Sequence, residues 1–298
     1  MPPRLPLTLV IPTYGRESVL LETLDHVLAV ENGPSEILVI DQTANHRQAT
    51  EVRLRQLAEA SEIRWLRLDK PSIPGAMNRG IAEALQKIVV FLDDDVVPLG
   101  DLFTAHLRAH ESTDVSLVAG RVLQPWDPPA GTPDSPLSRF SGVEAQWKRD
   151  FMGGNFSLPR TLAVRLGGFD ENFVGAAYNY EKEFAGRLLE AGRRIWFEPK
   201  AAIRHLQAST GGTRSHGLPY ATIKPHHAIG EYYYLLRGRK VDRRIQNLMT
   251  RPMRAVTTRH HLRKPWWIPI TLATEVMAFS WALALAVRGP HLGFVAEE

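Results

Sequence analysis

Lys87-Ile-Val-Val-Phe-Leu-Asp-Asp-Asp-Val-Val-Pro98 carries five apolar residues straight into three carboxylates, and the fold turns on how this stretch is read. A continuous apolar run of this length, rich in β-branched residues, predicts a strand covered on both faces in a parallel sheet. Asp93, Asp94 and Asp95 then stand at its carboxyl end, the edge where open α/β sheets bind ligands. Adjacent strand residues point to opposite faces, so Asp93 and Asp95 share one side and Asp94 faces away. Three neighbouring acids repel one another unless a cation or hydrogen-bond donors compensate, and oxygen ligands suit Mg2+ or Mn2+. The alternative is a solvated acidic turn capping a helix that starts near Pro98, where Asp is also favoured.

Upstream, residues 7–11 read as a short strand ended by Pro12, and Thr13-Tyr-Gly-Arg16 turns into a helix. Val19, Leu20, Leu24, Val27 and Leu28 give that helix the 3.6-residue period of an amphipathic element. Residues 37–40 form a second buried strand ending on Asp41, then a helix with Val52, Leu54 and Leu57, then a strand over 63–68. This alternation implies right-handed crossovers and a parallel sheet. Residues 70–80, rich in turn formers, open a helix continuing through Ile81, Ala84 and Leu85. Gly75 lets a ligand approach the backbone, free N–H groups at a helix start attract phosphate, and Lys70, Asn78 and Arg79 can reach the same anion. An ordinary loop is the competing reading, and neither a P-loop nor a dinucleotide glycine motif is present.

Downstream come a helix over 102–110, a strand over 115–119 and an aperiodic loop over 126–136. Residues 151–157 read as a strand whose paired glycines admit a ligand or another backbone, and 166–171 as a turn after a short helix. Residues 180–192 form a helix closed by Gly192, with Glu181 in the first turn as either a dipole-stabilised capping acid or a functional carboxylate. His205, after segments 195–199 and 201–205, is either a core histidine or a metal ligand. Trp147, Trp196 and the run Tyr232, Tyr233, Tyr234 are candidates for the core or an interface, or for stacking on a ligand.

Residues 265–287 carry a single charge, Glu275, and are long enough to cross a bilayer. Glu275, Pro269 and the alanine-rich composition favour instead a helix lying in the membrane interface, with a core or dimerisation helix and a true span as alternatives. Trp266, Trp267 and the basic tract before them are what a surface anchor would use. That tract holds ten Lys or Arg against one acid, Asp242, between 237 and 264, whereas residues 1–236 carry 25 basic and 28 acidic side chains. The imbalance suits a phosphate-facing or membrane-facing surface, or a solvated helix face, and excludes a uniformly basic nucleic-acid binder. No cysteine occurs among the 298 residues, which rules out disulfides and zinc–thiolate sites and fits a reducing compartment. No apolar region long enough for a signal peptide precedes the first strand, so a cytoplasmic location is expected.

Together these elements resemble a family 2 glycosyltransferase of the bacterial cell-surface polysaccharide type, over residues 7–206. The resemblance rests on Val10-Ile-Pro-Thr-Tyr-Gly-Arg16, Asp41, Gly75-Ala-Met-Asn-Arg-Gly80, Leu92-Asp-Asp-Asp95, Gly153-Gly-Asn155, Gly168-Phe-Asp-Glu171, residues 181–187 and 199–205, in the family's order. It implies an α/β, GT-A-type, mostly parallel central sheet flanked by helices, with a nucleotide-sugar half at about 1–120 and an acceptor half at 121–206. Residues 207–298 would be a helical, membrane-associated extension. Pro12, Tyr14 and Arg16 match the first nucleotide-contacting loop, Asp41 the base-binding acid, and Gly75 with Asn78 the element under the diphosphate. Asp93 and Asp95 match the Asp-x-Asp motif that holds Mn2+ or Mg2+, Asp94 lies within it as a donor contact, and His205 falls near that metal. The family's Glu-Asp base motif is altered: counting back six from Arg187 puts Glu181 at the base, with Asp170 and Glu183 as competitors.

The resemblance implies inverting transfer from a nucleoside-diphosphate sugar to a glycan or lipid-linked acceptor at the inner face of the cell membrane, with a homodimer allowed and nucleic acid not a partner. A polyprenyl-phosphate sugar synthase and a catalytically inactive nucleotide-binding scaffold are the alternatives.

Overall fold

The computed structural model describes residues 4–112, 114–127, 138–239 and 241–295. The opening half alternates as expected: β1 (Leu5–Thr13), α1 (Ser18–Leu28), β2 (Pro34–Asp41), α2 (Gln48–Glu59), β3 (Arg64–Arg67), α3 (Ile73–Glu83) and β4 (Ile88–Leu92). Leu20, Leu24 and Val27 bury one face of α1, as the 3.6-residue period requires. Val52 and Leu85, by contrast, are exposed, because α2 turns Thr50, Leu54 and Leu57 inward and α3 stops at Glu83. The four strands pair parallel in the order β3-β2-β1-β4; the apolar runs of β2, β1 and β4 are covered on both faces, while β3 at the edge is only partly buried. Val10 lies opposite Phe91, so the three acids leave the sheet beside Pro12 and Thr13.

Beyond β4 the chain departs from the sequence reading. The helix expected over 102–110 forms as α4 (Leu102–Ala109), but the alternative start near Pro98 does not: Val96–Leu99 is a strand, β5, and Gly100 turns at φ 54° before α4. The consecutive valines favour extended backbone, and the antiparallel pairing of β5 with β9 (Ile195–His205) places Val96 opposite His205. β9 unites the two segments expected at 195–199 and 201–205, absorbing Pro199, Lys200 and Ala201 as an irregularity against β6 (Leu117–Leu123). Gly153 and Gly154 precede rather than sit within β8 (Asn155–Pro159), which joins β4 antiparallel. β7 (Gln146–Lys148) edges β9, and its Trp147 packs edge-on against Trp196. The sheet order is β3-β2-β1-β4-β8-β6-β9-β5, so parallel pairing is confined to the first four strands and the β6/β9 pair. The expected loop at 126–136 falls mostly outside the described residues.

Buried polar side chains tie these layers together. Asn155 donates to the carbonyls of Arg121 and Ala201 while its Oδ1 pairs with His106 at 2.8 Å, joining β8, β6, β9 and α4. Burial pushes the imidazole of His106 down to about 4, so the network holds a neutral ring at physiological pH.

Asn78, expected beneath a diphosphate, is turned into the protein. It donates to the Phe169 carbonyl and Glu171 carboxylate at 2.9 Å each and accepts from the Phe169 N–H at 2.8 Å. This clips α3 to the turn after α5 (Arg160–Arg165). Asn78→Ala would leave the backbone groups of Phe169 unpaired, and a loss of about 1–3 kcal/mol in denaturant unfolding is expected.

The C-terminal helices share this core. α6 (Tyr180–Glu190) is followed after β9 by α7 (His226–Arg237), α8 (Arg244–Val256), α9 (Arg259–Arg263) and α10 (Trp267–Arg288). Ile229, Tyr232 and Tyr233 of α7 and Ala278 and Ala282 of α10 belong to the main hydrophobic cluster, which removes Tyr232 and Tyr233 from the stacking candidates. Both ends of α10 are fastened. Thr271 pairs with His261 at 2.8 Å, and beyond the helix Asn172 donates to the Gly289 carbonyl at 2.7 Å while the His291 N–H donates to Asp170 at 2.9 Å.

Candidate active site

The acid turn between β4 and β5 is held from several sides. Thr23 of α1 donates to the Asp94 carbonyl and accepts the Val96 N–H, which fixes the turn against the helix. Arg16, buried at the start of α1, spreads its guanidinium over Asp94 Oδ1 at 3.0 Å and Asp95 Oδ2 at 3.4 Å, and it also reaches the Thr210 carbonyl. These contacts let it offset the charge of the acid turn while it lines the cleft. Thr13 donates to Asp94 Oδ2 at 2.7 Å. Burial pushes the Asp94 carboxyl up to about 6, although Arg16 and Thr13 pull the other way.

Asp95 is buried, and burial opposes its charge. His205, Arg16 and the Ala208 amide outweigh that and hold the carboxyl below its ordinary value. His205 Nε2 lies 3.0 Å from Asp95 Oδ1 and 3.7 Å from Asp93 Oδ2, while Nδ1 faces Gln124 at 3.1 Å. Desolvation works against the imidazolium of His205, yet the two aspartates raise its pKa overall. Asp93 is the accessible member, with 42% of its side chain exposed toward the cleft. One donor atom each from Asp93, Asp95 and His205 falls within 4.8 Å of the others. Two carboxylate oxygens and an imidazole nitrogen at that spacing suit Mn2+ or Mg2+ with the remaining positions left for phosphate or water.

Glu181 stands across the same cleft. The first turn of α6 presents it from an Asn179 in the left-handed region, φ 72°, and the turn Gly153-Gly154 packs between it and Asp93. A Cβ on Gly154 would strike the Asp93 carboxylate, and one on Gly153 would strike the Tyr180 hydroxyl and approach Glu181. Gly154→Ala is therefore expected to displace Asp93 and cut donor binding at least tenfold while the protein stays folded, read by titration with a nucleoside diphosphate. Burial pushes the Glu181 carboxyl up to about 7; its own amide and that of Gly153 oppose the rise, and Asp93 adds to it.

Pro12, Tyr14, Arg16, Asp93, Asp94, Asp95, Glu181 and His205 thus meet at one cleft of about 710 Å3, within the size range of ligand sites. Asp41, Gly75 and Asn78 are not among its lining residues. Asp41 is fully buried behind the cleft, where the Thr43 N–H, His46 and the Trp65 indole all engage its carboxylate at 2.8–2.9 Å, and its neighbour Gln42 faces the cavity. Gly75 sits in the first turn of α3, facing Ser72 and Glu171. Arg79 pairs with Glu83 at 2.9 Å on the surface of α3, while Ile73 and Met77 bring the start of that helix to the cleft.

The competing base candidates are committed elsewhere: Glu183 pairs with Arg187 at 2.8 Å, and buried Asp170 accepts from Tyr233 at 2.7 Å and from the His291 amide. Tyr180, Gln42 and Arg214 line the cleft without having been singled out in the sequence. A helix-start Tyr beside Glu181 carried no separate signal, and Arg214 comes from a single 3-10 turn, Gly212–His216, after β9.

A parallel nucleotide-type sheet extended by antiparallel strands, with an acid turn at the carboxyl edge of β4 facing a helix-borne carboxylate, defines the GT-A class of α/β protein. The chain belongs to glycosyl transferase family 2, whose model matches residues 8–169. It is 26% identical over 144 residues to a pre-mycofactocin glycosyltransferase of Mycobacterium tuberculosis, a match covering 44% of this chain and 29% of that relative's length. Its fold resembles the Pyrobaculum calidifontis mannosyltransferase PcManGT, solved with GDP-Man and Mn2+, at TM-score 0.56 and 20% identity, covering 96% of this chain and 80% of that one. The S. aureus TarS fragment 1–349, solved with UDP-GlcNAc, superposes at TM-score 0.57 and 11% identity, covering 96% and 92%.

Proposed function

We propose that the chain transfers a sugar from a nucleoside-diphosphate donor to a hydroxyl acceptor with inversion at the anomeric carbon. The observation that carries this reading is that Glu181 lines the same cleft as Asp93, Asp95 and His205, with Gly153 beside Glu181 and Gly154 beside Asp93. Asp93, Asp95 and His205 would hold Mn2+ or Mg2+, which when bound offsets the charge of the departing diphosphate. Glu181 accepts the acceptor hydroxyl's proton as that oxygen bonds to the anomeric carbon. The bond from that carbon to the diphosphate oxygen breaks on the opposite side, its electron pair leaves with the nucleoside diphosphate, and configuration inverts. Arg16 takes no part in this transfer; it keeps Asp94 and Asp95 ionised and in place.

A base with a pKa of about 7 must be ionised to act, so activity rises with pH through that value. Below it, kcat/KM is expected to fall about tenfold per pH unit, and an initial-rate profile at saturating Mn2+ checks this. The donors in the similar structures are GDP-Man and UDP-GlcNAc, so both nucleotides belong in the first screen. A thermal-shift series of nucleoside diphosphates with and without Mn2+ tests the donor assignment, since stabilisation follows affinity.

The acceptor is a glycan or a lipid-linked saccharide, in cell-surface glycan synthesis at the inner face of the cell membrane. The basic tract before α10 favours the lipid-linked form and keeps a polyprenyl-phosphate acceptor in view; a labelled product partitioning into organic solvent would identify it.

A further inference from the structure

We infer that α8, α9 and α10 form a docking face for an anionic bilayer, with a pocket at α9 that takes a lipid phosphate headgroup. The inference goes beyond the transfer reaction, because none of the residues of that pocket lines the donor cleft.

Three observations converge on it. On α8, Ile245, Met249 and Met253 recur every four residues and are 61–74% exposed, and none of the helix's residues is fully buried. Arg251 leaves from the other side, pairing with Glu275 at 2.6 Å, which fastens α8 to α10 and leaves the apolar row without a partner among the described residues. On α10, Thr271, Glu275, Ala278, Ala282 and Leu285 turn inward, while Val276, Met277, Trp281, Leu283 and Val287 are 43–80% exposed. These side chains form a run of exposed apolar groups along one side of the 22-residue helix, the kind of contiguous patch that marks a protein or membrane contact.

α10 is the one helix among the described residues long and apolar enough to cross a membrane, but its fastenings oppose a span. His261 ties its start to α9, and Asn172 and Asp170 tie its end to the turn after α5. Crossing would set two ends about 33 Å apart on opposite sides of the bilayer. The helix therefore lies in the interface plane.

Charge selects the occupant. Arg259, Arg263 and Lys264 line a pocket of about 480 Å3 with Tyr220, Thr258 and His260, and no carboxylate joins them among the described residues. His260 Nε2 is buried there without a hydrogen-bond partner, between the rings of Tyr220 and Trp267 at 5.0 and 5.9 Å. Beside the pocket Leu262 and Trp266 are 82% and 62% exposed. Cations around a cavity roomy enough for a phosphorylated headgroup, flanked by exposed apolar and indole side chains, fit such a group at the level where acyl chains begin. A second copy of this chain, carrying the same basic tract, would bring like charges together.

The test is flotation of the full chain with phosphatidylcholine vesicles and with equal mixtures of phosphatidylcholine and phosphatidylglycerol. Strong preference for the anionic vesicles, lost at 1 M NaCl, is expected. Met249→Glu with Met253→Glu should weaken partition at least tenfold, and Arg259→Gln, Arg263→Gln, Lys264→Gln together on the order of 100-fold. Nucleoside diphosphate binding should be unchanged in both, which separates failure of docking from failure of the fold or of the transfer reading. The inference is overturned if wild type ignores anionic vesicles, or if it is a dimer that Val276→Glu dissociates with no change in lipid binding. It is overturned equally if inorganic phosphate stabilises wild type through the three cations while anionic vesicles do not bind.

Discussion

Glu181→Gln lowers kcat by 10^2 to 10^4 at pH 8, about the contribution of a positioned general base, and leaves nucleoside diphosphate affinity within twofold. The amide keeps the shape of the side chain and its place against the Gly153 amide but cannot take a proton. The neighbouring acids cannot substitute, because Glu183 is held by Arg187 and Asp170 by Tyr233 and the His291 amide. Comparable turnover in the variant, measured with donor and acceptor both saturating, would remove Glu181 from the mechanism. Stability should if anything increase: a carboxyl with its pKa raised to about 7 favours folding in the protonated form, most fully at acidic pH, and that contribution is lost as pH rises through 7.

Asp95→Ala produces the complementary loss. Metal-dependent donor binding disappears, while Glu181 remains in place to accept a proton. The substitution also strips a buried carboxylate from Arg16, His205 and the Ala208 amide, at a cost on the order of 3 kcal/mol. Asp95→Asn separates the two effects: it retains the shape and an acceptor oxygen, so it should fold close to wild type while Mn2+ dependence of nucleoside diphosphate binding is still reduced at least 100-fold. If Asp95→Asn binds donor and Mn2+ as wild type does, the cation assignment fails.

Much of this was legible in the sequence because parallel strands buried on both faces leave continuous apolar runs. The run before Asp93 fixed both the sheet and the edge where the acids emerge, and the helical period from Tyr180 placed Glu181 at a helix start. β5 was missed for a physical reason: four residues after a turn offer no period, and only their pairing with β9 makes them a strand and brings His205 to Asp95. Asp41 and Asn78 show what the sequence could not reveal. Each is a polar residue in a functional-looking motif, but its side chain is spent on buried partners, His46 and Trp65 in one case and Phe169 in the other. Residue type and order cannot distinguish a side chain facing a ligand from one satisfying the protein's own backbone.

The central claim is that a cation held by Asp93, Asp95 and His205 fastens the donor's diphosphate beside Glu181. Calorimetric titration of GDP and UDP into Glu181→Gln, with Mn2+ and after chelation, tests it most directly. Tight binding of at least one nucleotide that requires Mn2+ and is lost on adding Asp95→Asn is the expected result. Equal affinity with and without the metal, unchanged by Asp95→Asn, would contradict it.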